Sequence, residues 1–113
     1  MGKPSYMIKL MKTQRGSDFE YSGSVETGTI IAFGKRKQWQ RTITATHYAA
    51  LLKHFSARGS FRVGTSHTDP PKESMGDWSK ANVTSTGIAS YVAPILIAEG
   101  FAERTSRVEI RMV

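Results

Sequence analysis

The chain has 113 residues, no cysteine, and 16 Lys and Arg against 9 Asp and Glu, for a formal net charge of +7. That length fits a single domain, and a 39% hydrophobic, 10% aromatic composition argues against disorder. Disulfides and thiolate metal sites are excluded, and no apolar run of ~18 residues or apolar signal core is present, so a soluble cytoplasmic protein with no membrane partner is expected.

The first 44 residues read as strands and turns. Tyr6, Ile8 and Leu10 alternate with Met7, Lys9 and Met11, the period-2 pattern of a strand, and "QRGSD" breaks it with turn residues. Residues 19–25 form a short strand interrupted by Gly23. In residues 27–44, Ile30, Ile31 and Phe33 make one β-prone run and residues 39–44 a second. The "GKRK" between them is a natural hairpin tip.

A helix is predicted over residues 45–57. Thr44 is a good N-cap, Ile43 and Tyr48 are spaced as a hydrophobic staple, and Tyr48, Leu51, Leu52 and Phe55 make one apolar stripe. Gly59 is placed to end it. Phe61 and Val63 suit a short strand, and Pro70 and Pro71 then make residues 64–73 a loop. Asp77 is predicted to cap a short helix carrying Trp78 and Ala81. A longer helix follows over residues 86–99, with Gly100 as its stop. In the tail, Val108, Ile110 and Met112 alternate with charged residues, giving a two-stranded ribbon with "TS" as its turn.

Helix, short strand, loop, short helix, longer helix, ribbon is an order that resembles the winged helix-turn-helix family over about the last 70 residues. The whole reading is α+β in a single domain: N-terminal β-hairpins over residues 1–44, then a winged-helix-like three-helix unit with a C-terminal β-ribbon over residues 45–113. The resemblance implies that the last helix lies in a DNA major groove and the ribbon touches the backbone. The long loop at residues 64–76 and the two-residue ribbon turn depart from the family pattern. The wording of residues 64–104 also resembles small phage or prophage proteins.

In the last helix, Ile88, Tyr91, Val92, Ile95 and Leu96 must face the core. That leaves Ser85, Thr86, Ala89, Ser90 and Ala93 outside. Ser85, Thr86 and Ser90 are the groove-facing candidates, since hydroxyls bond phosphates and base edges. The competing reading is a core helix with no ligand. Pro94 removes one helical amide, and a bend is expected near residues 90–93.

Lys35, Arg36, Lys37 and Arg41 cluster around Trp39 in "GKRKQWQR", which joins phosphate partners to an aromatic able to stack on a base. A solvated turn with Trp39 in the core fits the same residues. Lys80, Arg104, Arg107 and Arg111 extend the basic surface, with Arg104 and Arg107 flanking the ribbon turn.

Catalytic and metal chemistry find no support in the pattern. His47 and His54 are seven residues apart, about 10 Å along a helix axis, too far for one zinc. His67 lies between Ser66 and Asp69, but sequence neighbours rarely form a triad. The P-loop spacing is missing. The expectation is a non-enzyme with no cofactor and no metal, binding nucleic acid, with duplex DNA as the leading partner. The alternative is a non-catalytic protein-interaction module, a phage-type adaptor or inhibitor of a host protein, using residues 64–76 and Trp78. Homodimerisation through an exposed Ile97 is compatible with either.

Overall fold

The computed structural model describes residues 8–66, 69–84 and 87–113. Its elements are β1 (Lys9–Lys12), β2 (Asp18–Ser24), β3 (Gly28–Phe33), β4 (Trp39–Thr44), α1 (Ala45–Phe55), β5 (Ser60–Arg62), α2 (Met75–Asn82), α3 (Ala89–Ala98), β6 (Ala102–Arg104) and β7 (Glu109–Met112). Among the described residues the fold is thus α+β: a four-stranded antiparallel sheet in the order β1-β2-β3-β4, three helices, and a small antiparallel sheet in the order β5-β7-β6. No helix among them is long and apolar enough to cross a membrane.

The large sheet is two-faced because its side chains alternate. Phe19 and Tyr21 on β2, Ile31 on β3 and Ile43 on β4 point inward and are buried. Leu10 and Ile30 point outward and are exposed. The strand alternation near the N-terminus holds, and it is Met11 that packs on the core while Leu10 faces outward. Tyr6 lies outside the described residues.

Helix α1 forms where the cap and stripe predict it. The Thr44 hydroxyl accepts from the His47 N–H at 3.0 Å, and His47 Nδ1 accepts from the Thr44 N–H at 3.2 Å, closing a reciprocal capping box. The helix ends at Phe55, two residues before the predicted limit. Tyr48, Leu51 and Phe55 are buried. The Tyr48 hydroxyl meets the Thr29 hydroxyl at 2.8 Å inside the core, and burial pushes its pKa up to about 12.

Three expectations are corrected further along. Ser74, not Asp77, caps α2: its hydroxyl accepts from the Asp77 N–H at 3.1 Å, while the Asp77 carboxylate accepts from the Glu73 N–H. Helix α3 runs from Ala89 to Ala98, shorter than the predicted span, and passes through Pro94 as one helix. The ribbon turn spans residues 105–108, not two residues, and β5 pairs with β7 to make three strands instead of a two-stranded ribbon.

The chain pinches where the long loop begins and ends. The Gly76 N–H donates to the Val63 carbonyl at 2.8 Å. A side chain at Gly76 would collide with the Gly64 carbonyl oxygen, and Gly64 itself sits at φ +71°. Only glycine allows so close an approach of two backbones.

Helix α3 contacts β1 of the large sheet, β6 of the small one, and α2. Tyr91 sets its ring against Phe33 at 4.7 Å, stacked, and edge-on to Phe19 at 5.2 Å. Ala89 and Ala93, predicted to lie outside, are each 2% exposed, because α3 is packed among β1, β6 and α2. Ile97, predicted as exposed, is half-buried and packed against the core.

Just beyond α3, Glu99 fastens the sheet to the helix. Its carboxylate accepts from the Tyr21 hydroxyl at 2.7 Å and from the Val25 N–H at 2.9 Å, with the Lys9 ammonium at 3.8 Å. Desolvation first, then this carboxylate, raises the pKa of the Tyr21 hydroxyl.

Candidate nucleic-acid interface

The β2–β3–β4 register places Phe19, Phe33 and Trp39 side by side at one end of the large sheet. Two turns therefore emerge at that end: residues 13–17 between β1 and β2, and residues 34–38 between β3 and β4. The second is the basic tip. Gly34 at φ +96° and Lys37 at φ +55° fold it tightly. The Lys37 N–H donates to the Gly34 carbonyl at 3.1 Å, and the Arg36 N–H to Gln38 Oε1 at 3.1 Å.

Lys35 and Arg36 are exposed at this tip. Trp39 is 53% exposed, which separates the two readings of that residue: it is not in the core. Its indole lies against Gly34, where a Cβ would meet its ring at 2.9 Å. Arg41, two residues inside β4, donates to the carbonyl of Gln40 at 2.6 Å.

Beside the first turn opens a cleft of about 830 Å³. Its walls are the turn of residues 13–17, the start of the long loop, the N-terminal half of α3 and the β6–β7 connection. Arg15 comes from the turn, Arg62 from the end of β5, and Arg104 and Arg107 from the ribbon. Asp69 is the one carboxylate among the described lining residues. The Arg104 guanidinium donates to the Arg107 carbonyl at 3.3 Å, which steadies it across the ribbon turn. Arg15, Arg62 and Arg107 make no ion pair among the described residues.

The positive field extends to neighbouring groups. Asp18 is held below the usual carboxylate range, mainly by the hydrogen bond and charge of Lys12 at 2.6 Å, with a further contribution from the charge of Lys37. The basic tip and the cleft share one end of the molecule, since the turn of residues 13–17 lines the cleft and emerges at the same end of the sheet as the tip, and Tyr91 of the cleft stacks on Phe33 beside the tip.

Comparison with protein-family models, with curated proteins and with solved structures finds no match to this chain. The site is therefore read from its own geometry.

Of the residues singled out in the sequence, Ser90, Arg104 and Arg107 line the cleft, and Lys35, Arg36, Lys37 and Trp39 form the adjoining tip. Arg41 stands just behind the tip. Lys80 is in the last turn of α2 and is not among the residues that line the cleft. Ser85 and Thr86 lie outside the described residues, as does His67. Trp78 does not offer a free surface on the long loop: it is half-buried, 5.9 Å from the His54 ring and 6.4 Å from the Phe55 ring. Arg111, expected to extend the basic surface, is paired with Glu103.

Arg15 and Arg62 were not foreseen. Each sits in an ordinary context, a polar turn and a three-residue strand in a different sheet, and only the packing of both sheets around α3 brings them to one cleft. The available signal was the Arg within "QRGSD", a turn that carries a cation between two strands.

Proposed function

We propose that this chain is a small non-catalytic accessory or regulatory protein that binds duplex DNA, mainly through phosphates. Its C-terminal part would be a winged-helix arrangement. The order α1-β5-α2-α3-β6-β7, with the small sheet ordered β5-β7-β6, supports that reading. One observation carries the function. Four arginines from three separate chain segments converge on one cleft beside a tip bearing three further cations, with a single carboxylate among the described lining residues. Clustered cations without acidic partners are the electrostatic footprint of a polyanion site.

Helix α3 plays little direct part in reading bases on this proposal. Ala98 is its one exposed residue, and Ser90 is half-buried in the cleft wall. The contacts come from loops, so binding is sequence-tolerant and strongly salt-dependent.

The test is K35E/R36E/K37E. Removing three phosphate contacts should lower duplex affinity at low salt and make the slope of log K against log salt shallower by about 2.7. An unchanged affinity and slope would overturn the clamp.

A second reading, a protein-interaction module, is favoured by the outer face of the large sheet. Leu10 is 79% and Ile30 47% exposed there, with Ile8 just ahead of β1 at 60%. A stoichiometric protein partner that survives nuclease treatment and is lost in L10K/I30K would favour this reading over DNA binding.

A further inference from the structure

We infer that the cleft holds one DNA strand, so that the preferred target is a duplex carrying a single-stranded overhang. This rests on the proposed DNA binding and specifies which part of a DNA molecule the cleft takes.

The first ground is size. A cleft of about 830 Å³ falls within the range of about 300–1,000 Å³ that holds small molecules. A duplex, whose major groove alone is ~12 Å wide, cannot enter such a space. A single strand can, one or two nucleotides at a time. The duplex is left to the hairpin tip outside, where Lys35 and Arg36 stand exposed.

Chemistry of the walls is the second ground. A groove for single strands combines cations that track the backbone with aromatic faces for the bases. Arg15, Arg62 and Arg107 provide the first, exposed and without ion pairs among the described residues. Tyr91 lines the floor, held in place by Phe33 and Phe19. Its hydroxyl has no hydrogen-bond partner among the described residues, and burial raises its pKa, so it stays a neutral donor for a base or phosphate oxygen.

The third ground is Trp39. An indole that is 53% exposed, with its Cδ1 edge held against Gly34 at the same end of the sheet, is a stacking platform and not a packing residue. A strand leaving the cleft toward the tip would meet it next.

The experiment is fluorescence anisotropy with the full chain and two labelled DNAs: a blunt duplex, and the same duplex with an overhang of about six nucleotides, within the span single-strand binders cover. The overhang should bind roughly tenfold tighter, the worth of one stacked base. In R15Q/R62Q, whose altered side chains are both exposed and whose folding is checked by thermal melting, the ratio of the two affinities should fall to near one. In W78F, which leaves Trp39 as the sole tryptophan, the overhang should quench the indole emission and the blunt duplex should not. Equal affinity for the two DNAs, or an overhang preference that survives R15Q/R62Q, overturns the single-strand assignment while leaving duplex binding intact. Failure to bind either DNA at low salt overturns the proposed function itself.

Discussion

Replacing Glu99 with Ala should separate the large sheet from α3 more effectively than removal of any surface charge. Two donors depend on its carboxylate: the Tyr21 hydroxyl, on a residue 2% exposed, and the Val25 N–H, on a residue equally buried. Each orphaned buried donor costs about 1–3 kcal/mol, so E99A should lose about 2–6 kcal/mol. The Lys9 ammonium adds little, because it is 3.8 Å away and its side chain is 42% exposed. E99Q keeps a carbonyl for Val25 and lets the Tyr21 hydroxyl turn to accept from the amide. Its cost should be only about 1–2 kcal/mol, the charge assistance forfeited. Urea denaturation at pH 7, read by far-UV circular dichroism with slopes compared, measures both. The Y21F/E99A double variant completes a cycle. Phe leaves no hydroxyl to orphan, so the double variant should be less destabilised than the two single losses added together. A loss under about 0.5 kcal/mol in E99A, or strict additivity in the cycle, would refute the account, since surface changes without buried consequences fall in that range.

The remaining predictions concern pH and packing. The Tyr48 pKa is raised in the folded chain from an ordinary value near 10 to about 12. Its contribution is therefore intact below pH 10 and is lost as pH climbs from 10 to 12, where the unfolded chain releases the proton first. A shift of two units corresponds to about 3 kcal/mol. Urea midpoints measured between pH 8 and pH 12 should fall for the wild type, and fall less for Y48F; equal pH profiles would refute it. I95A, at a site 0% exposed, should cost about 2–5 kcal/mol, while L10S, at 79% exposure, should stay within about 0.5 kcal/mol. Thermal melting of the two variants orders them.

Local chemistry was legible in the sequence and assembly was not. The Thr44 cap, the Tyr48–Phe55 stripe and the basic tip depend on neighbours within a few residues, so their spacing alone specified them. Ala89 and Ala93 were misplaced because periodicity reports one apolar face, and small residues carry no mark of whether a second layer covers them. Ser74 outcompeted Asp77 as a cap because the Gly64–Gly76 approach fixes where α2 begins, a constraint set by residues twelve apart. The cleft was half visible: Arg104 and Arg107 flank a ribbon whose alternation is plain, whereas Arg15 joins them only through tertiary packing.

Because Gly64 and Gly76 hold two backbones in contact, the chain between them leaves and returns at nearly one point. The span those residues must bridge is set by the scaffold, whatever their number, and a doubling of loop length adds only about 0.6 kcal/mol of closure cost. Thr65, Ser66, Asp69 and Pro71 from this excursion line the cleft together with the arginines. This loop wall is therefore a cassette. Exchanging it for segments of other lengths and charges should reshape that one wall while the cap at Ser74, the ribbon and both sheets stay as they are.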